Sequence, residues 1–379
     1  MKKRLFSFIL VLVMLISMLP ATALKAHAAT MTTSEDAIAM IKGFEGFHAN
    51  AYMDNGQWTI GYGTSSEEGA TITEEEADRV MREHVATLET AINTFAASNG
   101  LNLNQGKFDA LISFSFNCGT AWTKSAGKFR SAVLNGTTGN DFLYAISLWA
   151  NSGGVPSVGL INRRLAEANL YLNGRCSTTP PSNYTYVLYD ANGGTVGEDK
   201  MQGFDTNTPA AIKANPTHSN SSLIFAGWYT SKSNGAKVTS LTAANAGKTL
   251  YALWGIEVKV TNSYVNVRNA PGTVGTTPIG KLNLGDEVVI FETTSVNGAL
   301  WGRFSGGWIS LDYTNYKALM DAQEDKEEEG GTEGGTTAGE TVVATAIVKC
   351  STYVNVRNAP STVGTTIVGK LANGTRVDI

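Results

Sequence analysis

Glu45-Gly46, followed by Tyr52-Met53-Asp54-Asn55-Gly56-Gln57-Trp58-Thr59-Ile60-Gly61-Tyr62-Gly63, is the stretch on which the reading of this 379-residue chain turns. It sets one carboxylate at the end of a helix and a second nine residues on, at a tight turn. The helix is legible from its capping box, Thr33-Ser34-Glu35-Asp36, and from the apolar face of Ile38, Ile41 and Phe44. Asp54-Asn55-Gly56 is turn chemistry, and the residues around it alternate as a hairpin should. Two carboxylates carried in this way can flank a sugar–sugar bond. One protonates the leaving oxygen while the other steers water or attacks the sugar.

Around this stretch, residues 31–176 read as mainly helical with one small hairpin. Thr73-Glu74-Glu75-Glu76 is a second capping box, with acidic residues favouring the helix dipole, and its pattern runs to Asn99-Gly100. Further helices are expected between Asn104 and Gly119, Ser125 and Gly136, Asn140 and Gly153, and Gly159 and Gly174. Trp122 and Trp149 are expected in the core.

The ends of the chain read differently. Residues 1–28 form a secretory signal peptide: Met1-Lys2-Lys3-Arg4 is basic, Leu5 to Leu19 is apolar, and Ala26-His27-Ala28 is a small-x-small cleavage site. The mature chain is thus expected outside the cell or on a cell wall, with no membrane segment after cleavage. Ser177-Thr178-Thr179-Pro180-Pro181-Ser182-Asn183 is a linker, since paired prolines and small polar residues neither pack nor continue a helix. Residues 184–254 then alternate as a small β module, with turns at Asn192-Gly193-Gly194 and aromatic strands at Phe225 to Tyr229 and Leu250 to Trp254.

A repeat follows. Tyr264-Val265-Asn266-Val267-Arg268-Asn269-Ala270-Pro271 recurs unchanged as Tyr353 to Pro360, and 264–290 matches 353–379 at 19 of 27 positions. The first copy fills 256–316. The second, 346–379, stops at the counterpart of Ile290 and is expected to be incomplete and marginal by itself. Residues 317–345, rich in Glu, Gly and Thr, read as a disordered acidic spacer.

Composition excludes several functions. The net charge of −4 and the lack of a basic stripe interleaved with aromatics argue against a nucleic-acid partner. His27, His48, His84 and His218 lie far apart, and Cys118, Cys176 and Cys350 form an odd set, so neither a metal site nor a cofactor is expected. Cys118 and Cys176 could pair, though two free thiols is the preferred reading. Residues 31–176 carry 15 acidic against 10 basic side chains, a balance of −5, so this segment has no cationic surface with which to seek an anionic wall.

Segment 32–175 resembles the phage-type lysozymes, the endolysin family of muramidases. The resemblance rests on Phe44-Glu45-Gly46, Ala51 to Asp54, Gly56 to Thr64, Gln105 to Leu111, Ser115-Phe116-Asn117 and Gly159 to Glu167. It implies an α+β, mainly helical lysozyme fold and a triad of Glu45, Asp54 and Thr59. In that triad Glu45 is the general acid, Asp54 orients water or stabilises charge on the sugar ring, and Thr59 is a second holder of the water. It also implies substrate-side roles for Asn117, Arg163 and Arg164, one arginine holding the acid while the other packs outward. Two departures stand out: four residues separate Asp54 from Thr59 where five is common, and Thr64 stands where histidine is frequent.

Residues 256–316 and the second copy resemble bacterial Src-homology-3-like domains, which implies wall binding. Residues 184–254 resemble the Listeria-Bacteroides repeat, through Tyr189 to Gly194 and Phe225 to Tyr229. The whole reads as a monomeric, multidomain, secreted lysozyme that cuts peptidoglycan between N-acetylmuramic acid and N-acetylglucosamine, with β modules as wall tethers. The alternative is a catalytically inactive wall-binding adhesin on the same fold.

Overall fold

The computed structural model describes residues 30–54, 56–232 and 235–329, and four short strands at 345–347, 353–357, 367–372 and 376–378. The signal segment 1–28, Cys350 and spacer residues 330–344 lie outside the described residues. The chain divides into one unit up to Tyr316 and another from Lys317.

The first unit opens with α1 (Glu35–Glu45), capped by Ser34, whose hydroxyl accepts from Ala37 N at 3.2 Å. The cap is one residue later than the expected Thr33, because Ser34 is itself anchored by the Asp109 carboxylate at 2.6 Å. A three-stranded antiparallel sheet follows: β1 (His48–Asp54), β2 (Gln57–Gly61) and β3 (Thr64–Ser65). Next comes the long α2 (Glu74–Ser98), capped by Thr73 as expected. It buries Ala77, Met81, Val85, Leu88, Ile92 and Phe95, a stripe at three- and four-residue spacing.

The centre is the pair α3 (Gln105–Cys118) and α6 (Val158–Asn173). Both are buried nearly all round: α3 buries every residue from Phe108 to Ser115, and α6 buries Ile161 and all residues from Arg163 to Tyr171. α4 (Lys128–Leu134) and α5 (Gly139–Ser147) close the core around Phe114, Trp122, Phe129 and Phe142. Trp122 is buried, its Nε1 donating to Ser115 Oγ at 3.0 Å, and Trp149 is half-buried against Phe114. One expected helix is corrected. The Asn140 to Gly153 segment is helical only to Ser147, after which β4 (Asn151–Ser152) and β5 (Val155–Pro156) form a hairpin. Gly153 and Gly154, both at positive φ, make the turn rather than a helix cap.

The β strands after the linker are β6 (Tyr184–Asp190), β7 (Met201–Asp205), β8 (Ile224–Tyr229), β9 (Lys237–Val238) and β10 (Thr249–Lys259), in the order β7-β6-β10-β8-β9. β6 runs parallel to β10 and the other neighbours are antiparallel. Their core is Val187, Phe204, Trp228, Leu241 and Leu250. The module is docked directly on the helices rather than hung from the linker. Met201 is part of the helical core, Gly203 N donates to Ser147 Oγ at 3.0 Å, and Asp205 N donates to Asn140 Oδ1 at 2.7 Å. Gly203 permits the approach, because a Cβ there would lie 2.9 Å from Leu165 Cδ2 and 3.0 Å from Leu143 O.

β10 does not stop at the next module. Its far half, Ile256 to Lys259, pairs with β13 (Glu287–Ile290). At the crossing, a Cβ on Gly255 would run into the Ile290 carbonyl oxygen, so the two backbones could not meet around any larger residue. The remaining strands, β11 (Val265–Arg268), β12 (Pro278–Leu282), β14 (Glu292–Val296), β15 (Ala299–Phe304) and β16 (Gly307–Ser310), form a sheet ordered β12-β11-β16-β15-β14.

Where a spacer is expected from residue 317, the chain forms α7 (Tyr316–Glu329), built from helix-forming Ala, Leu, Met, Lys, Gln and Glu with a Lys317–Asp321 pair at 2.8 Å. Beyond it, β17 (Thr345–Ile347) pairs with β20 (Arg376–Asp378), and β18 (Tyr353–Arg357) with β19 (Ile367–Ala372). Val354 pairs with Leu371 as Val265 does with Leu282, so the repeated sequence gives the same inner register twice.

Candidate functional site

Glu45 is the last residue of α1, and Gly46, at φ 71°, stops the helix by donating to Lys42 O at 2.9 Å. A negative side chain at a helix C-terminus opposes the dipole and needs a cation. Arg163 of α6 supplies it, with Nη1 2.7 Å from Glu45 Oε1. The other oxygen, Oε2, faces Gly63 at the far end of the hairpin, 3.7 Å from where a Cβ would stand. Gly63 has φ 93°, a backbone conformation that calls for glycine, while a Cβ there would make only ordinary contact with the carboxylate. Tyr62, buried beside it, donates to Glu74 Oε1 at 2.9 Å and packs on Phe47, fixing the hairpin against α1 and α2. Burial, and then the Glu74 carboxylate, push the Tyr62 phenol up to about 12, so it stays a neutral donor.

The hairpin register places the other two triad candidates. Asp54 pairs with Gln57 and Tyr52 with Thr59, so all four side chains share one face of the ribbon. The chain reverses between Asp54 and Gln57, with Gly56 at φ 86°. Asp54 is exposed at the tip. Thr59 is 8% exposed at the base, its hydroxyl 3.5 Å from Gln57 O.

Behind Glu45 lies a buried network of charges. Glu167, fully buried, accepts from Ser113 Oγ at 2.9 Å and from Arg163 Nε at 3.1 Å, both on Oε1. Arg164 Nε stands 3.1 Å from the other oxygen, close enough for an ion pair but not aligned as a hydrogen bond. Arg164 Nη2 donates to Asn117 Oδ1 at 2.8 Å and Nη1 to Cys118 Sγ at 2.7 Å. The guanidinium groups lie over Phe44 and Phe114 respectively. Burial alone would weaken the Arg163 proton affinity, but Glu167 and Glu45 outweigh it and hold this arginine above its ordinary range.

The structure thus joins Glu45, Arg163, Arg164 and Asn117 in one chain of contacts, and sets Asp54 and Thr59 together on the hairpin. The expectation for the arginines is corrected: neither packs outward. Arg163 holds the acid, and Arg164 is wholly buried and grips Asn117. Asn117 itself is exposed and does not cap α3, a task left to Gly119. Sequence reasoning missed Glu167, Ser113 and Gly63. The first had a signal, because Glu167 stands four and three residues after Arg163 and Arg164. Cys118 and Cys176 are both free, and burial raises both thiols, Cys176 to about 11. Among the described residues no group of His, Cys, Asp or Glu is placed to hold a metal, and no helix is long and apolar enough to cross a membrane.

The phage lysozyme family profile matches residues 42–167, and the Listeria-Bacteroides repeat domain matches 184–253. The endolysin of Acyrthosiphon pisum secondary endosymbiont phage 1 is 34% identical over 147 residues, 37% of this chain and 98% of that protein. The endolysin of Bacillus phage B103 is 30% identical over 217 residues, 52% of this chain and 77% of that protein. The chain belongs to the phage lysozyme family. The endolysin of Salmonella phage P22, 32% identical over 151 residues, covers 38% of this chain and 99% of its own length. At the level these relatives support, this phage lysozyme family member is a peptidoglycan hydrolase with all-β modules behind its helical domain.

Proposed function

We propose that the chain is a secreted muramidase that hydrolyses the β-1,4 bond between N-acetylmuramic acid and N-acetylglucosamine in peptidoglycan. Glu45 is the general acid that protonates the leaving oxygen, and Asp54 is the anion that orients water or balances charge on the sugar ring. Thr59, on the same face of the hairpin, holds the water with it. Asn117 contacts the glycan, and the two arginines position Asn117 and the acid. The β modules tether the enzyme to the wall: residues 256–316 and 346–379 act as Src-homology-3-like binders, raising local substrate concentration for a catalytic domain that is itself anionic. The observation that carries this reading is the Glu45 carboxylate, held between Arg163 and Gly63 at the root of the hairpin that bears Asp54.

Release of reducing ends from purified peptidoglycan is the test. Glu45→Gln is expected to lose about 10²- to 10⁴-fold in kcat, the usual worth of a positioned general acid. Asp54→Asn should lose a comparable factor with its fold intact. A Glu45→Gln enzyme with wild-type turnover would sink the assignment. A wall-binding adhesin without catalysis is the second reading, favoured by the Thr59 hydroxyl turning to its own strand. It expects wall binding with no reducing ends from the wild type.

A further inference from the structure

The charges behind the site do not balance unless Glu167 is counted. Arg163 and Arg164 are 7% and 0% exposed, and two cations at that depth require compensating anions. Among the described residues Glu45 pairs with Arg163 and not with Arg164, while Asn117 and Cys118 offer Arg164 no charge. Glu167 is the group common to both arginines, reaching Arg163 Nε at 3.1 Å and Arg164 Nε at 3.1 Å. Ser113 Oγ, from the facing helix, fixes its rotamer at 2.9 Å. Cys118, the remaining titratable group beside this cluster, is half-buried and protonated, since burial raises its thiol. One guanidinium is thereby set on Glu45 and the other on Asn117.

Building on the muramidase reading, we propose that Glu167 is the positioning residue of the site, one buried carboxylate that sets both the acid, through Arg163, and the glycan contact, through Arg164. It touches no substrate. Its charge matters as well as its hydrogen bonds. With Glu167 neutral, the net positive charge beside Glu45 rises by one, which favours the ionised form of the acid and depletes the form that donates a proton. A carboxylate that merely filled space would have neither effect.

Kinetics of Glu167→Gln on purified peptidoglycan test this, with thermal unfolding followed in parallel. The substitution keeps shape and removes charge. It is expected to lower kcat about tenfold, to raise KM a few fold, and to move the alkaline limb of the pH–rate profile to lower pH. Ser113→Ala, which keeps every charge and loosens the Glu167 rotamer, should lower kcat about threefold without moving that limb. It also serves if Glu167→Gln does not fold. A folded Glu167→Gln enzyme with unchanged kcat, KM and pH profile overturns the inference. So does an unchanged Ser113→Ala enzyme where Glu167→Gln cannot be purified folded. Absence of reducing ends from the wild type instead overturns the muramidase reading, and the two failures are therefore distinct.

Discussion

The helical domain and the β module docked on it solve the problem of a core in opposite ways. At the centre of the helices, where α3 meets α6, two arginines and a glutamate are buried among phenylalanines. At the centre of the β module lie Val187, Phe204, Trp228 and Leu250, and its buried polar side chains are neutral amides. One of these, Gln202, is satisfied at both ends: its Oε1 accepts from Tyr189 and Lys213, and its Nε2 donates to Ala211 O. Buried ion pairs are poor value as stabilisers, because desolvation offsets most of their attraction. A domain that retains them while its neighbour does without has another use for them. Under the proposed function, that use is to position Glu45 and Asn117.

That contrast can be broken by substitution. The largest effect is expected from Arg164→Met, which leaves Glu167 with half its compensation. It should cost about 3–5 kcal/mol in chemical denaturation and weaken glycan affinity as Asn117 loses its anchor. Leu250→Ala, in the apolar core, should cost about 2–5 kcal/mol while leaving kcat on short soluble glycan near wild type. If Leu250→Ala lowers kcat as much as Arg164→Met does, the division between positioning and scaffolding fails. Gly203→Val, at the seam, should cost about 1–3 kcal/mol by forcing a side chain against Leu143 and Leu165, and should lower the melting temperature of the helical domain with that of the β module. Two separate transitions with only one shifted would show the seam to be adventitious.

The smallest effect is a surface one. Lys42 bonding, helped by Arg82 and opposed by burial, holds Asp78 below its ordinary value of 3.8. Its stabilising contribution is thus full above that value and is lost as pH falls through the lower folded one. The pair is about a quarter exposed, so Asp78→Asn should cost no more than about 1 kcal/mol near neutrality. Unfolding curves of the two proteins should converge in acid; a gap that widens there would contradict the sign.

Much of this architecture is legible in the chain. Thr73 and Asn104 act as the caps their residue types predict, and Gly119 and Gly174 end helices as expected. The segment from Asn140 to Gly153 was not legible, since Leu148, Trp149 and Ala150 continue a helical apolar pattern while the backbone has already turned. α7 is hidden for the opposite reason, because acidic composition resembles that of a solvated spacer. The site divides in the same way. Glu45 and Asp54 announce themselves by turn and helix-end chemistry, whereas the depth of Arg164 and the centrality of Glu167 depend on α3 packing against α6. Sequence spacing carries i,i+3 and i,i+4 contacts but not which face meets which helix.

The strand β10 runs on past Gly255 and pairs there with β13, so a single strand links the two β modules. A flexible joint would let a wall-bound domain drift while the enzyme swivels. A continuous ribbon cannot swivel: load applied to the module beyond Gly255 is delivered through the ladder of the module before it, and from there to the helices on which it sits. Pulled from Tyr316 in a single-molecule experiment, the two β modules should give way in one event, and two well-separated ruptures would show a hinge where none is drawn.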